Sequence, residues 1–165
     1  MRWFLVDRFL ELVKGSHARA VKNVTLGEDH IHDYFPGYPM MPPSLLVESM
    51  AQTGGMLAGC TTDFKEKIIL AKVVKATFPR PALPGDQVLI EAVLEDARAE
   101  GSRVSARATV NGETVAEGVL MFVNLDSFLG EEERSRENFV FTEAFLSVLR
   151  AQGVTVPDEP DREKR

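Results

Sequence analysis

The chain has 165 residues, 44% of them hydrophobic, and a formal net charge of -6 at neutral pH. That length suits one compact domain with a substantial core. With a pI near 5.1 and no cluster of Lys and Arg interleaved with aromatics, the sequence offers no positive field for phosphates and argues against nucleic acid as a partner.

From Phe4 to Leu26, short apolar runs flank Lys14-Gly15-Ser16, which predicts two short strands around a turn. The following GEDHIHDYFPGYPMMPPS carries four prolines and two glycines in eighteen residues. This density of fixed and permissive backbone angles excludes a helix and predicts a constrained, extended loop. Next, SLLVESMAQTGGMLAGC is apolar almost all round a helical wheel, so a helix over 44–60 is expected to be buried rather than amphipathic. Its one polar stripe sets Glu48, Gln52, Gly55 and Gly59 on a single face at i, i+4, i+7 and i+11 spacing.

Four strand-like stretches follow, over 67–78, 86–96, 102–110 and 114–124. In the third, Val104, Ala106, Ala108 and Val110 alternate with Ser105, Arg107 and Thr109, the period of a half-buried strand. Asn111-Gly112 then marks a tight hairpin, because both residues tolerate positive φ. These stretches predict one antiparallel meander wrapped around the single helix, an α+β fold whose open sheet edge favours pairing with a second copy.

Past Asp126 the composition turns to GEEERSREN, then FVFTEAFLSVLRAQG, then VPDEPDREKR. Phe141, Phe145, Val148 and Leu149 fall on one helical face that ends at Gly153, which predicts a short packed helix and then a disordered charged tail. The expected organisation is a domain over 1–125, an extension over 126–153 and a tail over 154–165, with no internal repeats.

The single Cys60 has no intramolecular disulfide partner, and MRWFLVDRF lacks the apolar core and cleavage site of a signal peptide. Glu48, Asp63 and the run from Lys65 to Lys67 interrupt the longest apolar stretches before the roughly 18 residues that span a bilayer. A soluble, cytoplasmic protein without membrane contact is expected.

The string YFPGYPMMPPSLLVESMAQ resembles the signature of the 3-hydroxyacyl-(acyl-carrier-protein) dehydratases, FabZ- and FabA-like proteins of hotdog fold. In that signature a histidine precedes Phe-Pro-Gly, then Pro, then Met-Pro-Gly, then a helix with an acidic residue before an Ala-Met-Ala-Gln-like stretch. AVKNVTL before the loop and KATFPRPALPGDQV after the helix agree with the same family, so the match runs over about residues 4–124. The resemblance implies an antiparallel sheet wrapped around one long central helix, and elimination of water from a 3-hydroxyacyl thioester in fatty-acid or related acyl-chain synthesis. The substrate would be carried on acyl-carrier protein or coenzyme A, no cofactor would be needed, and the protein would be a homodimer or a trimer of dimers. In the family a histidine and an acidic residue from opposite subunits face each other at the end of an acyl tunnel. The reaction needs a base for the proton beside the carbonyl, an acid for the leaving hydroxyl, and a donor to the thioester oxygen.

Glu48 stands at the family's acidic position. A lone carboxylate amid Leu45, Leu46, Val47, Met50 and Ala51 is costly without a partner or a task, and burial would raise its pKa toward that of a general acid. Gln52 on the same face is placed to orient it, or else to bond the backbone as a core amide. Tyr34 departs from the family's histidine. With a pKa near 10 it is only about a thousandth ionised at neutral pH and is a poor base. His32, two residues earlier, would point the same way in an extended segment, roughly 7 Å along the chain, and has a suitable pKa near 6.5. It is therefore the candidate replacement base. His30 and His32 also form a His-x-His pair, but two ligands define no metal geometry, and no metal is expected.

Pro43 is the second departure, standing where the family's glycine offers an N–H to the thioester oxygen. Proline has none, so the next donor at the positive helix end is the N–H of Ser44, with the Tyr34 hydroxyl as an alternative. Phe35 and Gly37, with Pro36, Pro39 and Pro42, set the shape of the substrate-binding loop. Met56, Leu57 and Phe78 are candidates for lining an acyl tunnel or for plain core. Arg80 is a candidate contact for the acidic carrier or its phosphopantetheine, or a solvated loop charge. Two other readings stay open: a non-catalytic hotdog subunit that binds acyl thioesters or pairs with an active homologue, and a thioesterase in which Glu48 activates water.

Overall fold

Gly15, at φ +73°, takes the left-handed turn that joins β1 (Arg8–Val13) to β2 (His17–Asn23). The computed structural model describes residues 4–33, 37–130, 138 and 140–156. Where an extended loop without helix was expected, Asp29–Asp33 forms a short helix, α1. The prolines of this segment all come later, so nothing breaks a helix before them, and Asp29 favours the positive end of its dipole. His32 therefore stands on helical backbone, and the alternation that would align it with Tyr34 does not apply there. The side chains of His32 and Asp33, and all of Tyr34, Phe35 and Pro36, lie outside the described residues, as does the tail from 157 onward.

The long helix α2 (Pro43–Thr61) starts on proline, which tolerates the first turn because its missing N–H has no intrahelical acceptor to lose. Leu46, Met50 and Leu57 are at most 1% exposed, and they share one core with Val88, Ile90, Val104 and Leu120 of the sheet. Each such side chain contributes about 1.5–3 kcal/mol of burial.

The remaining strands are β3 (Ile68–Thr77), β4 (Gln87–Arg98), β5 (Gly101–Val110) and β6 (Glu113–Asn124), and the sheet order is β1-β2-β4-β5-β6-β3, antiparallel throughout. The fold is a hotdog, with the sheet wrapped around α2. The expected meander holds for β4, β5 and β6, joined at the last turn by Asn111 at φ +52° and Gly112 at φ +83°. It does not hold for β3, which crosses to the far edge and pairs only with β6, from Ile68 opposite Asn124 to Thr77 opposite Glu117. Alternation tells which face of a strand is buried and is silent about which neighbour it takes. The proline-rich link over 78–86 then carries the chain across to β4, beside β2.

After a 3-10 turn (Leu125–Ser127), the last helix α3 (Glu143–Ala151) is capped by the Thr142 hydroxyl and ends at Gly153, φ +80°. Phe145 and Leu149 are buried, but Val148 is 42% exposed, and Phe141 enters the core from just before the helix. The four-residue face is thus reduced, because α3 begins two residues after Phe141 and Val148 lies on the solvent side of the Phe145–Leu149 line. Gln152 fastens this helix to β1: its Oε1 accepts from the Phe9 N–H at 3.0 Å and its Nε2 donates to the Asp7 carbonyl at 3.1 Å. Two buried lysines are paired, Lys22 with Glu28 at 2.6 Å and Lys67 with Asp126 at 3.0 Å. Among the described residues no helix is long and apolar enough to cross a membrane.

Candidate active site

The polar stripe on α2 is built from the helix outward. Ser44, Glu48 and Gln52 follow one another at i, i+4 and i+8, so one turn separates each from the next on the same face. The N–H groups of Leu45 and Leu46 both donate to the Pro42 carbonyl, at 2.9 and 3.1 Å, which leaves that of exposed Ser44 as the first donor projecting from the positive end. Glu48 is half-buried, and one of its carboxylate oxygens accepts from Gln52 Nε2 at 3.0 Å. Gln52 is held in turn: its Oε1 accepts from the buried Leu5 N–H at 2.9 Å, while Ser49 Oγ donates to the Leu5 carbonyl at 3.0 Å. A backbone N–H can only donate, so the amide has one orientation, with its NH2 toward Glu48. Gln52 thus bonds Glu48 and the Leu5 backbone at once.

Glu48 and Gln52 border an apolar cavity of about 120 Å³. Gly55 and Met56 continue its wall along α2, Ile68, Leu70 and Phe122 close it from the sheet, and Val140, Phe141 and Phe145 close it from the C-terminal extension. Of the three residues considered for a tunnel, Met56 lines this cavity, Leu57 is fully buried core, and Phe78 is half-exposed outside the lining. A larger groove of about 480 Å³ is lined by Arg19, paired with Glu91 at 3.3 Å, by Arg107, paired with Glu117 at 3.6 Å, and by Lys75, and it holds neither Glu48 nor Gln52. The smaller cavity brings the carboxylate and the amide together and is the candidate site.

Of the other candidates among the described residues, Gly37 and Arg80 do not line this cavity. Gly37 is exposed on the loop at φ +82°. Arg80 sits beside the β5–β6 turn, its Nε 3.1 Å from Glu113 and an Nη donating to the Val110 carbonyl at 3.2 Å, and does not line the cavity. The Met41 N–H donates to the Ala82 carbonyl at 2.9 Å, which ties the end of the proline loop to the same corner. Among the described residues no group of three or more His, Cys, Asp or Glu could hold a metal ion. The contributions of Val140, Phe141 and Phe145 were missed in the sequence, where this run reads only as packing for a helix; the bare face at Gly55 and Gly59 was the matching clue.

A FabA-like domain model matches residues 2–119. The chain belongs to the FabA-like family. Similar FabA-like proteins include the 3-hydroxyacyl-(acyl-carrier-protein) dehydratase FabZ of Herpetosiphon aurantiacus, 40% identical over 125 residues that cover 75% of this chain and 89% of that protein. The FabZ of Caldicellulosiruptor saccharolyticus is also 40% identical, over 121 residues covering 73% of this chain and 86% of the relative. In three dimensions the chain resembles the dehydratase heterocomplex ApeI:P of Xenorhabdus doucetiae, with a TM-score of 0.63 at 15% identity over 79% of this chain and 86% of that one. It also resembles smu.793 of Streptococcus mutans bound to acetyl CoA, with a TM-score of 0.62 at 15% identity over 75% of this chain and 92% of that one. These structural likenesses carry the hotdog fold.

Proposed function

We propose that this FabA-like protein is a dehydratase of 3-hydroxyacyl thioesters in fatty-acid or related acyl-chain synthesis, with Glu48 as general acid and a base other than the family's histidine. The observation that carries the proposal is the Glu48 carboxyl, fixed by Gln52 at 3.0 Å, beside an apolar cavity and one turn from the free N–H of Ser44. Its relatives named as dehydratases support the substrate class. In the reaction the bond between C2 and its proton breaks as a base takes that proton. The C3–O bond breaks as Glu48 protonates the departing hydroxyl, giving the enoyl thioester and water. Negative charge gathers meanwhile on the thioester oxygen, where the Ser44 N–H at the helix end, or the Tyr34 hydroxyl, stabilises it.

His32 is the proposed base, because an imidazole titrates near neutrality and a tyrosine does not. Acid and base meet across a homodimer, alone or within a trimer of dimers. The exposed β3 edge supports this pairing, since its outer backbone groups are unpaired in one chain. Acyl-carrier protein or coenzyme A carries the substrate, and Arg80, anchored by Glu113, is the proposed contact for the carrier arm.

The test is to incubate purified protein with 3-hydroxyacyl thioesters on carrier protein and on coenzyme A and follow the enoyl absorbance. Turnover that Glu48→Gln abolishes, His32→Ala cuts by about 100-fold or more, and Tyr34→Phe lowers is expected. Full activity in His32→Ala removes His32 from the mechanism. Bound thioester without turnover shifts the protein to the non-catalytic, acyl-binding reading that the altered Tyr34 and Pro43 positions also suggest.

A further inference from the structure

Gly55 and Gly59 extend the Glu48–Gln52 stripe down α2, and two missing side chains in line leave a groove along the helix. The groove is stopped at its far end. The Phe141 ring rests on Gly59 so closely that a Cβ there would lie 2.4 Å from Cζ and 2.7 Å from Cε2. Phe145 stacks alongside with ring centroids 6.5 Å apart, and Phe64 meets Phe141 edge-on at 5.2 Å, so the ring is braced from two sides. About 120 Å³ remains between Glu48 and this barrier. That is less than a cavity of about 150 Å³ that takes up benzene. The barrier is formed by residues beyond 119, where the match to the FabA-like model ends, so it belongs to this chain's extension and not to the matched domain.

We infer that Phe141, seated on Gly59 and backed by Phe145, terminates the acyl pocket and makes the protein selective for short 3-hydroxyacyl chains. The inference rests on the dehydratase reading above. A short chain lies between Glu48 and the ring with its thioester toward Ser44, whereas a long one must displace an aromatic side chain that is 6% exposed and backed by Gly59, Phe64 and Phe145 on the side away from the cavity.

The experiment compares kcat/KM for 3-hydroxybutyryl and 3-hydroxydecanoyl thioesters on one carrier. The wild type should favour the four-carbon chain by about tenfold or more, the scale of discrimination that pocket size provides. Phe141→Ala should raise the ratio of ten-carbon to four-carbon kcat/KM about tenfold, mainly through KM for the longer chain. Phe141→Leu keeps the core filled, should give an intermediate gain, and carries the test if the alanine variant melts below assay temperature. Equal wild-type use of both chains overturns the inference while leaving the dehydratase standing. Turnover of neither chain overturns the dehydratase, and calorimetric binding of the two thioesters then decides the pocket: binding about tenfold weaker for the long chain supports it, and equal binding overturns it.

Discussion

Replacing Gln52 with alanine cuts a stitch that joins the first strand's approach, the central helix and the carboxylate at once. Leu5 is 3% exposed and its N–H donates to Gln52 Oε1 at 2.9 Å, so the alanine variant leaves a buried donor without an acceptor, at a cost of about 1–3 kcal/mol. The lost donor to Glu48 adds about 1 kcal/mol, less than a fully buried charged bond because water reaches half-buried Glu48. The Ser49 hydroxyl still holds the Leu5 carbonyl, so the segment stays docked. A total of about 2–4 kcal/mol at an m-value of about 2 kcal/mol per molar moves the urea midpoint down by roughly 1–2 M with m unchanged. Gln52→Glu separates the two contributions. It retains an acceptor for Leu5 but sets a second carboxyl about 3 Å from Glu48, so one of the pair holds its proton above the usual carboxylate range. A pKa raised on folding gives stability that is present at low pH and lost as pH rises through the folded value, so this variant should approach the wild type at pH 4 and fall behind it at pH 7. An alanine variant unfolding at the wild-type midpoint, or a glutamate variant whose deficit is flat with pH, would refute the reasoning.

Three further outcomes are expected. Gly59→Ala drives a Cβ into the Phe141 ring and should cost about 1–3 kcal/mol of stability, and a double-mutant cycle should show that cost shrinking in the Phe141→Leu background. Gln152→Ala releases the Phe9 N–H and the Asp7 carbonyl, so hydrogen exchange should speed up in α3 and at Phe9 while the β4–β6 amides keep their protection. Burial pushes the Glu28 carboxyl up, but the Lys22 hydrogen bond, the Thr25 N–H and the charges of Lys22 and His30 outweigh it and hold the carboxyl below its usual value. The stability it contributes is therefore complete above about pH 4.3 and lost as pH falls through the lower folded value. Glu28→Gln should lose about 1.5–3 kcal/mol in urea melts at pH 7, because Lys22 is buried, and the gap to wild type should close toward pH 2–3.

Local patterns carried the legible part of this fold. The apolar helix, the alternation in β5 and the Asn111-Gly112 turn each depend on neighbours a few residues apart, and each stands where its spacing puts it. The Glu48–Gln52 contact was legible for the same reason, since i, i+4 residues meet on any helix. Contacts set by the whole fold were not. The Leu5 N–H that fixes Gln52 is 47 residues away, β3 chose β6 rather than β4, and Phe141 found its place on Gly59 across a charged stretch. The α1 turn was hidden by prolines that all follow it, because a breaker acts on its own turn and the one before rather than on the whole segment.

The far-edge position of β3 has a cost during synthesis. Helix α2 is complete in the nascent chain at Thr61, whereas the last of the strands that bury it ends only at Asn124, and β3, made in between, must wait for β6 before it can pair. At about 5–20 residues per second the intervening stretch takes roughly 3–13 s to emerge. For those seconds the apolar helix has only β1 and β2, made before it, to pack against. The yield of folded protein should therefore respond to chaperone supply and growth temperature well before the finished fold nears its melting point.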